Sequence, residues 1–152
     1  MTTETRQERT SDIKTLIALS RRTISASYRV FLGDQAVDAF IHSGADDEYV
    51  RENIGCRSVI LADAKIVGYS VTKDNLIDLM MIDHEFHRCG LGTRLLQYVE
   101  ERLFRIYDEL VLESFEGNQR ANSFYRKNGW IETRTFFDKS SGVNKVVFKK
   151  TA

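Results

Sequence analysis

LIDLMMIDHEFHRCGLGTRLL, Leu76 to Leu96, holds an apolar run, a short polar turn, Gly90 and Gly92 spaced G-x-G, and then the start of an amphipathic helix. That order is a strand feeding a loop of phosphate size. Glycine has no Cβ and tolerates positive φ, so the backbone at Gly90 and Gly92 can approach a ligand closely. The first amides of a helix lack partners inside it, and the macrodipole favours negative charge there, so an anion fits at that point. Glycines at a strand-to-helix turn also serve as plain turn formers, and G-x-G alone does not decide between the two.

Downstream, Leu91, Leu95, Val99 and Leu103 fall at i, i+4, i+8 and i+12, with Arg94, Gln97, Glu100 and Glu101 outward, which predicts a helix packed on a sheet. Glu109 to Ser114 reads as a buried strand, so strand, helix and strand form a β-α-β unit with parallel strands. Asn118 is placed to cap a helix that carries Ala121, Phe124 and Tyr125 on one face and ends at Gly129. Ile131 to Phe137 and Val143 to Lys149 alternate about a turn at Lys139 to Gly142, a closing hairpin.

Upstream, SVILAD and KIVGYSVTK are period-two runs separated by Asp63 and Ala64, and Asn75 to Ile82 follows a turn at Lys73 and Asp74, giving three antiparallel strands in series. Thr3 to Arg9 reads as an edge strand, and Thr10 or Ser11 as the N-cap of a helix near 11 to 22. Between Tyr28 and Asn53 the pattern predicts two short helices, with Gly44 to Glu48 an acidic break before the second. Asp46, Asp47 and Glu48 could wall a site for a cationic substrate, or form a plain solvated face. The expected whole is one α/β (α+β) domain, residues 1–152, with a mixed sheet of about seven strands and about four helices on both faces.

With 152 residues and 42% apolar side chains, the chain is long enough for one real core. Lys plus Arg equals Asp plus Glu at 22 each, so no bulk positive field gathers nucleic acid or an anionic membrane. The opening MTTETRQERTSD lacks the apolar core of a secretory signal, and no run is long enough to span a membrane, which reads as a cytoplasmic protein. Cys56 and Cys89 fit neither a metal site nor a disulfide framework, so no metal is expected. The absence of proline has no functional account.

Two separated segments, Leu79 to Leu96 and Leu112 to Trp130 (LESFEGNQRANSFYRKNGW), together resemble the two signature segments of the GNAT superfamily of acyl-CoA-dependent N-acyltransferases. The family's first segment carries Q/R-x-x-G-x-G/A, and its second runs N-x-x-A-x-x-F-Y-x-x-x-G-F. Asn118, Ala121, Phe124, Tyr125 and Gly129 match the second, with Trp130 for the final Phe; in the first, His87 stands where Gln or Arg is usual. The element order also fits the family's plan.

The resemblance implies acetyl-CoA as acyl donor and an amine as acceptor. It implies that Met80, Met81 and Ile82 pair with the pantetheine arm, the Ile82 N–H facing the thioester carbonyl, and that His87, Arg88, Cys89, Gly90, Leu91, Gly92 and Thr93 cradle the diphosphate. Asn118 then contacts the cofactor side as well as capping its helix, and Tyr125 protonates the departing thiolate. A base is needed because an amine is mostly protonated at neutral pH; Asp78, Glu113 and His84 are the candidates in that order, and a water chain could replace them.

The competing class is a non-catalytic domain that holds acyl-CoA as a sensor or scaffold. A dinucleotide site fails because Leu95 stands where a third glycine is needed. KVVFKK reads as an alternating strand with lysines outward rather than a nucleic-acid contact. In the family the acceptor pocket comes from the region of the first helices and the closing hairpin, here Tyr28 to Asp47 and Phe136 to Asn144, where no substrate code is readable. The exposed hairpin suits a homodimer.

Overall fold

In the computed structural model, which describes all 152 residues, β1 (Thr3–Gln7), β2 (Arg57–Ala62), β3 (Lys65–Lys73), β4 (Leu76–Ile82), β5 (Glu109–Phe115), β6 (Ile131–Asp138) and β7 (Val143–Thr151) form one sheet. Its order is β1-β2-β3-β4-β5-β7-β6, and only β4 and β5 run parallel. The helices are α1 (Ile13–Ser27), α2 (Arg29–Leu32), α3 (Asp34–His42), α4 (Ala45–Glu52), α5 (Leu91–Phe104) and α6 (Gln119–Lys127). This is the mixed α/β sheet with two covered faces that the sequence predicts.

Each face has its own core. Leu91, Leu95, Leu96, Val99 and Leu103 of α5, with Tyr125 and Trp130, bury against Ile60, Val67, Ile77, Leu110, Leu112, Val146 and Phe148. On the other face Leu16, Leu19 and Ile24 of α1, with Val37 and Val50, bury against Val59, Leu61, Tyr69, Val71 and Met81. Each such aliphatic side chain contributes about 1.5–3 kcal/mol by leaving water. Strand β2 is buried along its whole length because both of its faces are covered.

Several local expectations are corrected. The first helix runs from Ile13 to Ser27, and neither Thr10 nor Ser11 caps it; Asp12 does the local work, accepting from the Arg9 amide at 2.7 Å and pairing with Arg6 at 2.8 Å. Three helices, not two, follow Tyr28, with breaks at Gly33 and Gly44. Gly44 sits at φ 78°, a left-handed turn that glycine takes without strain. The acidic residues are no break: they form the first turn of α4, where the macrodipole favours them. Asp46 is buried and bonds Arg21 of α1 at 3.1 Å, with Asp47 on the same guanidinium at 2.8 Å, so this pair ties α4 to α1. Glu100, expected to face outward, is buried: it accepts from Trp130 Nε1 at 3.0 Å and from Lys150 at 2.6 Å.

One irregularity positions the site. Opposite β3, Val71 pairs with Leu79 and Thr72 with Ile77, so Asp78 is an extra residue and β4 bulges there. The parallel ladder to β5 consists of Leu76 with Val111 and Ile77 with Leu112, and goes no further. Past the bulge the two strands part, and a gap opens toward their C-terminal ends.

Candidate active site

The gap is lined on one side by main chain with no strand to pair it. Asp83 N donates to Val67 O at 2.8 Å and Tyr69 pairs with Met81, so ladder alternation turns the N–H and C=O groups of Met80 and Ile82 away from β3, toward the gap. The side chains divide between the faces: Met80 packs on the α5 core, while Met81 is buried in the α1 core, where Ser20 Oγ lies 3.8 Å from its sulfur. Behind the strand's end, Arg22 of α1 meets the buried Asp83 carboxylate at 2.5 Å. Burial raises that carboxyl, but the bonds from Arg22 and the Glu85 amide outweigh it and leave it below its ordinary range.

The glycine loop sits at the mouth of the gap. Arg88 and Gly90 take left-handed φ of 65° and 76°, which turns successive amides inward as a nest. Arg94 N bonds Gly90 O at 3.3 Å, so the amides of Leu91, Gly92 and Thr93 are the free donors of the first turn. A Cβ on Gly92 would stand 3.3 Å from the Phe124 ring and 3.8 Å from Ile82 Cγ1, so the glycine's bare backbone is what fills this corner. Cys89 is exposed, with its thiol 3.6 Å from His87 O, and both cysteines are free.

His87, at the position where the family usually has Gln or Arg, turns back onto the strand. Its Nε2 lies 2.8 Å from Ile82 O, and Arg120 of α6 bonds its Nδ1. A guanidinium only donates, so Nδ1 accepts and Nε2 carries the proton. The imidazole therefore clips the end of β4 to the loop and to α6.

Tyr125 lies against Phe124 and Phe148, with ring centroids at 5.5 and 5.7 Å, and is 6% exposed. Burial pushes its hydroxyl well above the ordinary phenol range, so it stays protonated. Asn118 caps α6, accepting from Ala121 N at 3.3 Å. The buried Asn122, which nothing in the sequence marked, donates to Phe115 O at 3.2 Å and Glu116 O at 3.1 Å and fixes the end of β5.

The base candidates separate. Asp78 accepts from Tyr49 OH at 2.5 Å, with Lys73 at 3.5 Å, at the far end of β4 from Ile82. Four residues of strand are roughly 13 Å. Glu113 shares with Phe115 the face of β5 that meets Lys145, 3.9 Å from its carboxylate. His84 sits 3.3 Å from Asp83. Of the lysines in KVVFKK, Lys145 faces Glu113, Lys149 faces Glu109 at 3.3 Å and Lys150 is taken by Glu100.

A widening between parallel strands, main-chain donors turned into it and a helix N-terminus at its mouth fit a coenzyme A thioester. Proteins of known structure share this fold. The chain is 32% identical over 69 residues to the peptidyl-lysine N-acetyltransferase YiaC of Escherichia coli K12, a match covering 45% of this chain and 44% of that one. Its matched part thus spans less than half the length of that curated relative. The fold superposes on a GCN5-related N-acetyltransferase from Rhodopseudomonas palustris with a TM-score of 0.85 at 15% identity, covering 100% of this chain and 97% of that one. It matches the PaiA N-acetyltransferase of Thermoplasma acidophilum, solved in complex with coenzyme A, with a TM-score of 0.81 at 19% identity over 100% of both chains. The model of the acetyltransferase (GNAT) domain matches residues 31–151, well over half of the sequence, and the chain therefore belongs to the GNAT acetyltransferase family.

Proposed function

We propose that this chain transfers an acetyl group from acetyl-CoA to a primary amine by direct attack of the amine. The observation that carries the reading is the parting of β4 from β5 after Ile77 and Leu112, which turns the Ile82 N–H into an open slot beside the free amides of α5. Acetyl-CoA supplies an acetyl group already activated as a thioester. Leu91, Gly92 and Thr93 offer amides to its diphosphate, and Asn118 stands on the cofactor side at the head of α6. Ile82 N–H donates to the thioester oxygen as negative charge grows there; a fixed donor of that kind contributes about 3 kcal/mol.

Tyr125, kept protonated by burial, gives its proton to the departing sulfur. Glu113, rather than Asp78, is the acid placed to take a proton from the amine, directly or through water, because Tyr49 OH donates to Asp78 at 2.5 Å whereas the Glu113 carboxylate has no hydrogen bond and only Lys145 at 3.9 Å. The Escherichia coli relative is named for lysine side chains, so a lysine amine is one acceptor of suitable chemistry.

Free-thiol release from acetyl-CoA with a panel of amines tests the reading. Tyr125→Phe should lower kcat about a hundredfold while leaving the melting temperature unchanged, since burial, and no hydrogen bond, is what acts on its hydroxyl. Calorimetric binding of acetyl-CoA without thiol release for any amine would instead make the chain a module that holds the thioester without turning it over.

A further inference from the structure

On the gap side of β4 the ladder to β5 stops at Ile77, so Ile82, the last residue of the strand, has no neighbouring strand there to hold its main chain. One side chain takes that place. His87 Nε2 lies 2.8 Å from Ile82 O, and the next amide, Asp83 N, donates to Val67 O at 2.8 Å. The peptide joining Ile82 to Asp83 is therefore bonded at both ends, one toward β3 and the other toward the gap. Resting on the transferase reading above, we propose that His87 is a positioning residue for the transfer step: its grip on the Ile82 carbonyl holds the Ile82 N–H in line with the thioester oxygen.

The local chain explains how the ring gets there. A single helical turn at His84–Phe86, capped by Asp83 accepting from Glu85 N at 3.2 Å, folds the backbone over so that His87 returns onto the strand end. The amides of Leu91, Gly92 and Thr93 are the donors left for a diphosphate, which frees this side chain to turn inward. Gly68 and Ile82 face each other as an unbonded pair of the antiparallel ladder, so β3 cannot hold the Ile82 carbonyl itself.

A donor stabilises developing charge because it is fixed before the charge appears. Without His87 the carbonyl turns to water, the strand end can twist about Ile82, and the N–H of the same residue turns with it. Part of the preorganisation is then lost while the loop amides stay.

The grip does not depend on the ring's charge. Arg120 of α6 bonds Nδ1, and His84 and Asp83 are the other titratable groups around the imidazole. Protonation adds its proton at Nδ1, against an exposed guanidinium that can swing into water, whereas Nε2 keeps its own proton in both states.

The test pairs His87→Ala, which removes the donor, with His87→Gln, whose amide reaches where Nε2 sits. With acetyl-CoA and the best amine of the panel saturating, kcat should fall about tenfold in His87→Ala and recover to within about twofold of the parent in His87→Gln. Acetyl-CoA affinity by calorimetry should stay within about threefold in both. The ratio of parent to His87→Gln kcat should be flat from about pH 6 to about pH 8. Hydrogen exchange of the Asp83 amide, which needs no turnover, should quicken in His87→Ala and match the parent in His87→Gln. Should His87→Ala not fold, His87→Asn, whose amide reaches only where Nδ1 sits, must show the same losses. Parental kcat in the donorless variant, a loss confined to acetyl-CoA affinity, no recovery in His87→Gln, or a ratio that falls toward acid pH overturns this inference alone. Failure of acetyl-CoA to bind, or binding with no amine acetylated, overturns the transferase reading and this inference with it.

Discussion

His87 Nε2 donates to the main-chain carbonyl of Ile82 across 2.8 Å, so a titratable ring fastens the strand end that faces the gap. Burial holds the imidazole below its ordinary 6.5; Arg120 and His84 push the same way, while the Ile82 carbonyl and Asp83 oppose them. The unfolded chain thus binds a proton at higher pH than the folded one. The stability contributed by the neutral ring is present above pH 6.5 and is lost as pH falls through the lowered value. Melting temperatures from about pH 8 to about pH 5 should fall more steeply for the parent than for His87→Gln, which keeps a donor but does not titrate. Parallel slopes would show that His87 does not set this dependence.

Asp78 is the bulged residue of β4, and Tyr49 OH holds it at 2.5 Å. On the function proposed above it keeps the bulge, and hence the gap, and Glu113 takes the proton. Asp78→Asn keeps an acceptor for Tyr49 and should leave kcat within about twofold, whereas loss of a true general base lowers it about a hundredfold or more. Asp78→Ala strands the half-buried phenol of Tyr49, costs about 1 kcal/mol, and should weaken acetyl-CoA binding. A hundredfold fall in kcat for Asp78→Asn, with acetyl-CoA still bound normally, would restore Asp78 as the base.

How far the sequence could be read depends on whether a feature is local. The stretch from Leu76 to Leu96 was readable because strand period, glycine spacing and helix period are properties of neighbours in the chain, and the structure has β4, the loop and α5 there. Glu100 was misread because its partners, Trp130 and Lys150, lie 30 and 50 residues away. Asn122, Arg120 on His87, and Phe31 over Gly117 are likewise products of tertiary closeness. The three helices after Tyr28 were blurred because four to nine residues hold too few turns to fix a period.

The buried Glu100 joins α5 to both ends of the last hairpin, since Lys150 also donates to Asn128 O at 2.8 Å. Glu100→Ala leaves a buried indole N–H and a half-covered ammonium without their acceptor, and should cost about 2–3 kcal/mol. Glu100→Gln retains an acceptor for Trp130 and should cost less. Chemical denaturation of the two variants checks the order; equal, small losses would mean that water replaces the carboxylate.

Two glycines touch Ile82 for different reasons, and alanine separates them. At Gly68 a Cβ would stand 2.7 Å from Met81 O, 2.5 Å from Ile82 Cδ1 and 3.1 Å from Ile60 Cγ2, and the first of these is backbone in the adjoining strand. The strands must move apart, so Gly68→Ala should cost about 3 kcal/mol. At Gly92 the nearest atom is the Phe124 ring at 3.3 Å, a side chain that can yield by a few tenths of an ångström, and its backbone needs no positive φ. Alanine is also the better helix former, so Gly92→Ala should alter stability by less than about 1 kcal/mol. On the function proposed above its methyl enters the corner where the amides of α5 would meet a diphosphate, and acetyl-CoA affinity should fall about tenfold. Melting curves and calorimetry on both variants decide the matter: a Gly92→Ala protein that binds acetyl-CoA like the parent removes the diphosphate from the head of α5.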